Sequence, residues 1–287
     1  MNSKKFDLEK CIRKILGNWE LVALVAAVLI ALIAIVTAAS QAKEIRRLRT
    51  TYNGLPEEGG FPVASYSDEA YYYDDYYFLN YDDGATTALR GIDVSAHQGE
   101  IDWEQAKEAG VEFAMIRAGY RSYADGSLKE DDWFKANLKG AKKQKIKTGV
   151  YFFSQAITVE EAIEEAQFVV DLLDGHKLDM PIAFDMEPIP EDGRIKDLTM
   201  MEKTEIADAF CQIVENYGYD SLIYGNRYWI FESLNLSLLG HRNLWLAHYN
   251  TSTDFPYDYA MWQYTDSGIV AGVEGGCDLN IFYVKND

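Results

Sequence analysis

The chain has 287 residues, 48% of them hydrophobic, and its 46 acidic and 27 basic side chains give a formal net charge of −19. That length and apolar content can build a sizeable core in one large domain or two small ones, and they exclude a disordered chain. The acid excess excludes a nucleic-acid-binding surface unless the basic residues are strongly segregated, and the segregation that exists points to a membrane.

Residues 21–40, LVALVAAVLIALIAIVTAAS, form a run without a charge, the length an α-helix needs to cross a bilayer. A cleavable signal sequence has an apolar stretch of only about 7–15 residues, so an uncleaved single-pass anchor is expected. Lys4, Lys5, Lys10, Arg13 and Lys14 precede it and Lys43, Arg46, Arg47 and Arg49 follow, a balance too even to set the orientation. Cys11 precedes the span, and Cys211 and Cys277 lie far apart beyond it. The sequence leaves a disulfide between those two open, with two buried free thiols the expected state.

Between Arg49 and Arg90 there is no lysine or arginine, and the stretch SYSDEAYYYDDYYFLNYDDG sustains neither a helical nor a strand period. Its composition reads as a solvated stalk over residues 41–87. Its tyrosines favour a second possibility, packing on the domain that follows or contact with a wall polymer, because aromatic rings are costly to leave in water.

From Ala88 the pattern alternates between strands and helices. RGIDVS, FAMIRAGY, KTGVYFFS, MPIAFDME, SLIYGN, NLWLAHY, AMWQYT and CDLNIFY have strand character. One helix is expected from Thr158, with Glu161 in capping-box spacing and Val159, Ala162, Ile163, Ala166, Val170 and Leu173 on one face, ending at Gly175. A second begins with Thr199 and Glu202 and presents Ile206, Phe210, Ile213, Val214 and Tyr217. Repeated strand–helix–strand units imply a parallel sheet, and this many strands suit an irregular (β/α) barrel of the TIM kind that loses helices in its second half.

In such barrels reactive groups sit where strands end. Asp93 closes the first strand, Asp185 and Glu187 close the fourth, and Asp278 lies in the last. Side chains at i and i+2 of a strand share a face, with the two residues roughly 6.6 Å apart along it. Crowded carboxylates raise at least one pKa, giving an acid that keeps its proton beside another that does not, the equipment for glycosidic bond cleavage. Pro188 holds Glu187 extended. Exposed strand-end acids can also simply cap a helix, and His97 in SAHQG reads as a structural loop histidine.

The segments RGIDVSAHQGEIDWEQAKEAGVEFAMIRAGYRS, GVYFFSQA, PIAFDMEP, LWLAHYN and MWQYTDSGIVAGVEGGCDLNIFY resemble, in order over residues 88–287, glycoside hydrolase family 25, the muramidases that cut between N-acetylmuramic acid and N-acetylglucosamine in peptidoglycan. The resemblance implies Glu187 as general acid, Asp185 as its partner, Asp93 and Asp278 in the same pocket, and Tyr151 and Tyr224 near the sugar. Tyr120, Trp262 and Gln263 are further candidates for substrate contact. No cofactor or metal ion is expected. The implied partner is the glycan strand of peptidoglycan, with residues 21–40 as membrane anchor in place of C-terminal wall-binding repeats. That substrate lies outside the cell membrane, so residues 1–20 are expected inside and residues 88–287 outside. Retaining, inverting and substrate-assisted mechanisms all remain open. Three other readings stand beside this one. A metal-dependent hydrolase could use the same acids. The domain could be a catalytically silent wall-binding module. A chitinase-like hydrolase is the third, although Ala183 stands where that family has a further aspartate.

Overall fold

The computed structural model describes residues 19–189 and 193–286, with side chains from residue 22 onward. The expected intracellular segment therefore lies outside the described residues up to position 18, Cys11 included. Contacts divide the chain into two compact units, Met1–Thr50 and Thr51–Asp287.

The described part of the first unit holds one helix, α1 (Trp19–Arg49). It contains the apolar run and continues for about two and a half turns into the basic stretch after it. Its 28-residue segment Val22–Arg49 is long and apolar enough to cross a membrane, and none of its most apolar window is buried.

The second unit is a closed barrel. In chain order its elements are β1 (Tyr71–Tyr73), β2 (Leu79–Tyr81), β3 (Thr86–Val94), α2 (Trp103–Glu108), β4 (Phe113–Arg121), β5 (Leu128–Glu130), α3 (Phe134–Lys143), β6 (Lys147–Ser154), α4 (Val159–Leu173), β7 (Ile182–Met186), α5 (Met200–Asn216), β8 (Ser221–Asn226), α6 (Arg227–Ser233), β9 (Leu244–Ala247), β10 (Met261–Gly268) and β11 (Cys277–Lys285). Strands β3, β4, β6, β7, β8, β9, β10 and β11 close the ring, because β3 also pairs with β4. All eight segments read as strands from sequence are among them. One departure from an all-parallel sheet matters for the site: β11 runs antiparallel to both β10 and β3. Only the short turn at residues 268–277 joins β10 to β11, too short for a crossover to a parallel strand.

The helices follow their caps. Thr199 and Glu202 form the expected reciprocal box at the start of α5. At α4 the Thr158 hydroxyl accepts from the Glu161 amide, but the Glu161 carboxylate turns away to the Ile157 amide and to Arg194. Val169 rather than Val170 is fully buried there, and so is Glu165. Tyr217, expected in the apolar stripe of α5, is 37% exposed. Cys211 and Cys277 are both free and buried.

The acidic, tyrosine-rich segment is not a solvated stalk. The compact unit begins at Thr51, and within it β1 and β2 form a hairpin whose aromatic side chains pack on the outside of β10 and β11. Tyr66 stacks on Tyr283 at 3.9 Å between ring centroids, and Tyr71 meets the edge of Trp262 at 5.4 Å. The Tyr71 hydroxyl bonds those of Tyr283 (2.7 Å) and Tyr259 (3.3 Å), so the rings bury their carbon without stranding their oxygens.

Candidate active site

The reversed direction of β11 sets Asp278, near its start, directly opposite Asp93, near the end of β3. Asp185 comes from β7, and Glu187 follows that strand on the same side. These four carboxylates line one small cavity together with Tyr151, Tyr224, Trp245 and Gln263. The cavity holds about 90 Å³, room for about three waters at ~30 Å³ each. It fits one substituent or the edge of one ring, and the rest of a polymer would lie across the open mouth.

A buried amide network organises the acids. Gln263 Nε2 donates to Asp93 Oδ2 (2.8 Å) and to Asp278 Oδ2 (3.1 Å), while its Oε1 accepts from the hydroxyls of Tyr224 (2.9 Å) and Tyr249 (3.3 Å). Asn280 donates to the same Asp93 oxygen (2.7 Å) and accepts from the indole of Trp245 (2.8 Å). Five strands are thereby tied to one carboxylate pair. Asp185 has no amide to hold it: its carboxyl bonds that of Glu187, and its Oδ1 is buried without a hydrogen-bond partner.

The electrostatics follow from this placement. No lysine, arginine or histidine lines the cavity. Burial pushes the Asp185 carboxyl well above the usual carboxylate range, and the neighbouring Glu187 and Asp93 push the same way. Glu187 is raised by burial, pulled partly back by its hydrogen bond with Asp185, and raised again by Asp278. Burial lifts Asp93 as well, against the pull of Asn280 and Gln263, and burial with the Asp93 charge brings Asp278 up to about 8. The cluster therefore retains protons near neutrality, where isolated carboxyls would be ionised. Asp185 is 5% exposed; Glu187 is more open and is the carboxyl of that pair that a substrate oxygen can reach.

Two candidates fall elsewhere. Trp262 is fully buried on the outer side of β10; its indole donates to the His248 carbonyl (2.8 Å) and its ring packs under Tyr71. Neighbouring strand residues face opposite ways, so Gln263 inside requires Trp262 outside. Tyr120 is partly exposed and does not line the cavity; it lies beside the Arg117 guanidinium, past a register shift between Arg117 and Gly119 that re-aims the end of β4. Neither Trp245 nor Asn280 is among the candidates named from sequence. The available signal was parity: Asn280 is two residues from Asp278 and shares its face. His97 is exposed in the short turn after β3 and lies away from the cavity. Among the described residues, no group of three or more His, Cys, Asp or Glu side chains is arranged to hold a metal ion.

Fold and site define an α/β barrel whose mouth is equipped for acid catalysis. The sequence matches the family Glycosyl hydrolases family 25 over residues 92–273, and the chain belongs to that family. It is 30% identical over 195 residues to an autolytic lysozyme of Clostridium acetobutylicum, across 68% of this chain and 56% of that protein. It is also 30% identical over 209 residues to lysozyme M1 of Streptomyces globisporus, across 69% of this chain and 68% of that one. The crystal structure of a bacterial lysozyme from Streptomyces coelicolor superposes with a TM-score of 0.58 at 26% identity, covering 70% of this chain and 93% of the other. The chain thus spans little more than half the length of the clostridial relative.

Proposed function

We propose that the protein is a membrane-anchored lysozyme that cleaves the bond between N-acetylmuramic acid and N-acetylglucosamine in peptidoglycan, held by residues 21–40 with residues 88–287 outside the cell membrane. The observation that carries this is the Asp185–Glu187 pair, buried among two further carboxyls in a cavity without a cation. The lysozyme names of both sequence relatives support the same reading. Glu187 gives its proton to the glycosidic oxygen as the bond to C1 breaks. Asp93 and Asp278, held by Gln263, support the positive charge that develops on the sugar, and Tyr151, Tyr224 and Trp245 wall the site.

The unpartnered Asp185 oxygen favours the substrate-assisted route. Asp185 accepts the N–H of the 2-acetamido group and turns its carbonyl oxygen onto C1. That oxygen displaces the leaving sugar, whose oxygen takes the Glu187 proton. A water then opens the cyclic intermediate, Glu187 removes the water's proton, and the anomeric configuration is retained. The route uses no cofactor or metal ion.

The test is release of reducing ends from purified peptidoglycan by the full chain in detergent, beside Glu187→Gln. Release by the wild type alone supports the assignment. Binding without release by either protein would sink it in favour of a wall-binding module, and an inverted product would eliminate the assisted route. A reporter fused after residue 287 that is active only in the cytoplasm would reverse the proposed topology.

A further inference from the structure

A second, larger pocket adjoins the mouth. It holds about 440 Å³, within the range of small-ligand sites, and is lined by Pro188, Ile189, Lys196, Lys203, Asn226, Tyr228, Trp229 and Glu232, among others. Pro188 follows Glu187 in the chain, and Asn226 closes β8 two residues after Tyr224, so both ends of the pocket are built on strands that also supply the carboxylate cavity. The indole of Trp229 approaches β8 closely because residue 225 is glycine: a Cβ there would stand 2.7 Å from Trp229 Cε3.

Two observations give the pocket a preference. Lys196 and Lys203 both face the pocket, and among the described residues neither has an ion-pair partner; Lys203 reaches only the Ser233 hydroxyl at 3.4 Å. Such a pair of cations is unusual in an acidic chain, and it borders a cavity with none. Tyr228, 76% exposed, adds a ring at the rim. Ammonium groups want carboxylates, whereas the acid cavity wants a neutral sugar.

We infer that this pocket binds the carboxylate-bearing peptide substituent of the glycan, with Lys196 and Lys203 on its carboxylates and Glu232 on a free amine. The inference rests on the peptidoglycan reading of the neighbouring cavity. It makes the enzyme selective for strands that still carry their peptides. The pocket is a specificity determinant and takes no part in bond cleavage.

The experiment uses the full chain in detergent with Glu187→Gln to prevent turnover. Calorimetry measures its binding to soluble glycan oligomers with their peptides and to the same oligomers stripped of peptide. Lys196→Ala with Lys203→Ala should weaken binding of the peptide-bearing oligomer roughly fivefold and leave the stripped one unchanged. Lys139→Ala, an exposed lysine on α3 that lines neither cavity, serves as the charge-matched control and should change neither. Equal weakening on both oligomers, or none on either, overturns the inference. Turnover by the wild type is followed in parallel: absence of cleavage would count against the lysozyme assignment, while the binding difference would still decide the pocket.

Discussion

Buried acids occur in two regions of the barrel unit, and only one of them is supplied with cations. Between strands and helices, Glu165 accepts from Arg121 Nε (2.7 Å) and the Ser154 hydroxyl (2.6 Å), and Asp208 accepts from Arg242 Nε (2.7 Å), while Nη1 of the same guanidinium donates to Glu215 at 2.6 Å. At the mouth, Asp93 and Asp185 are comparably buried, and they share their cavity with two further carboxyls, one amide, two tyrosine hydroxyls and an indole; Arg117, paired with Asp131, pulls on Asp185 from outside that lining. The first arrangement fastens helices to the sheet. The second holds protons in a place where no cation can take over their work. Burial pushes Glu165 up to about 7 even with Arg121 and Ser154 pulling down, so desolvation is the larger force in both regions and the cation decides how far it is resisted.

The largest effect that tests this contrast is catalytic. Glu187→Gln keeps the size of the side chain and removes its proton; release of reducing ends should fall by roughly 10³-fold, with an unchanged circular dichroism spectrum. A loss below tenfold would mean that another group supplies the proton.

The paired region should answer with stability. Arg121→Met removes the guanidinium that meets Glu165 and Glu164 and donates to the carbonyls of Gly126 and Glu161. Leaving Glu165 buried alone should cost about 3–5 kcal/mol in denaturant unfolding. The remaining folded protein should cleave as before at low temperature, since Arg121 does not line the cavity. Equal loss of activity per folded molecule would show that the two regions are coupled.

Asp185→Asn should move stability the other way. The folded pKa of Asp185 lies above its unfolded value, so between the two the fold binds more protons than the unfolded chain. Its contribution is fully present below about pH 4 and is lost as pH rises. Asparagine has no charge to desolvate, so the variant should be more stable than the wild type at pH 8 by about 1 kcal/mol, with no gain at pH 4 and with activity reduced. A variant less stable at pH 8 would mean that the mouth carboxylates are held by interactions stronger than their desolvation.

How much of this could be read beforehand depends on the range over which each signal acts. The eight barrel strands were legible because their apolar runs are local, and Asp93, Asp185 and Glu187 because strand ends in a barrel converge; Asp278 stands at the start of its strand, so convergence of strand ends does not account for it. The reversal of β11 was not legible, although it is what brings Asp278 to the mouth: direction depends on the short turn after β10 and on closure against β3, not on the strand's own residues. Trp262 was misjudged because hydropathy cannot tell an aromatic facing into a barrel from one facing out. Glu165 was invisible for a related reason, since its partner Arg121 lies 44 positions away.

The tyrosine-rich hairpin is the sharpest case, because composition and structure pull in opposite directions. Eight acids between Arg49 and Arg90 suggest solvation, and the acids do stay wet or pair, as Asp74 does with Arg90 at 2.8 Å. Tyr66, Tyr71 and Tyr81 do the opposite and pack against Tyr259, Trp262 and Tyr283. A two-stranded hairpin of three-residue strands has little stability of its own, so its order must come from those contacts. Tyr71→Phe keeps the ring and removes the hydroxyl shared by Tyr283 and Tyr259. It should cost about 1 kcal/mol, seen as faster amide exchange confined to residues 71–81, with the barrel strands and the cleavage rate unaffected. Uniformly faster exchange across β10 and β11 would instead make the hairpin part of the barrel's cooperative unit. Trp262 would then be the route by which it is felt at the mouth, since that indole packs under Tyr71 while the next residue, Gln263, donates to Asp93 and Asp278.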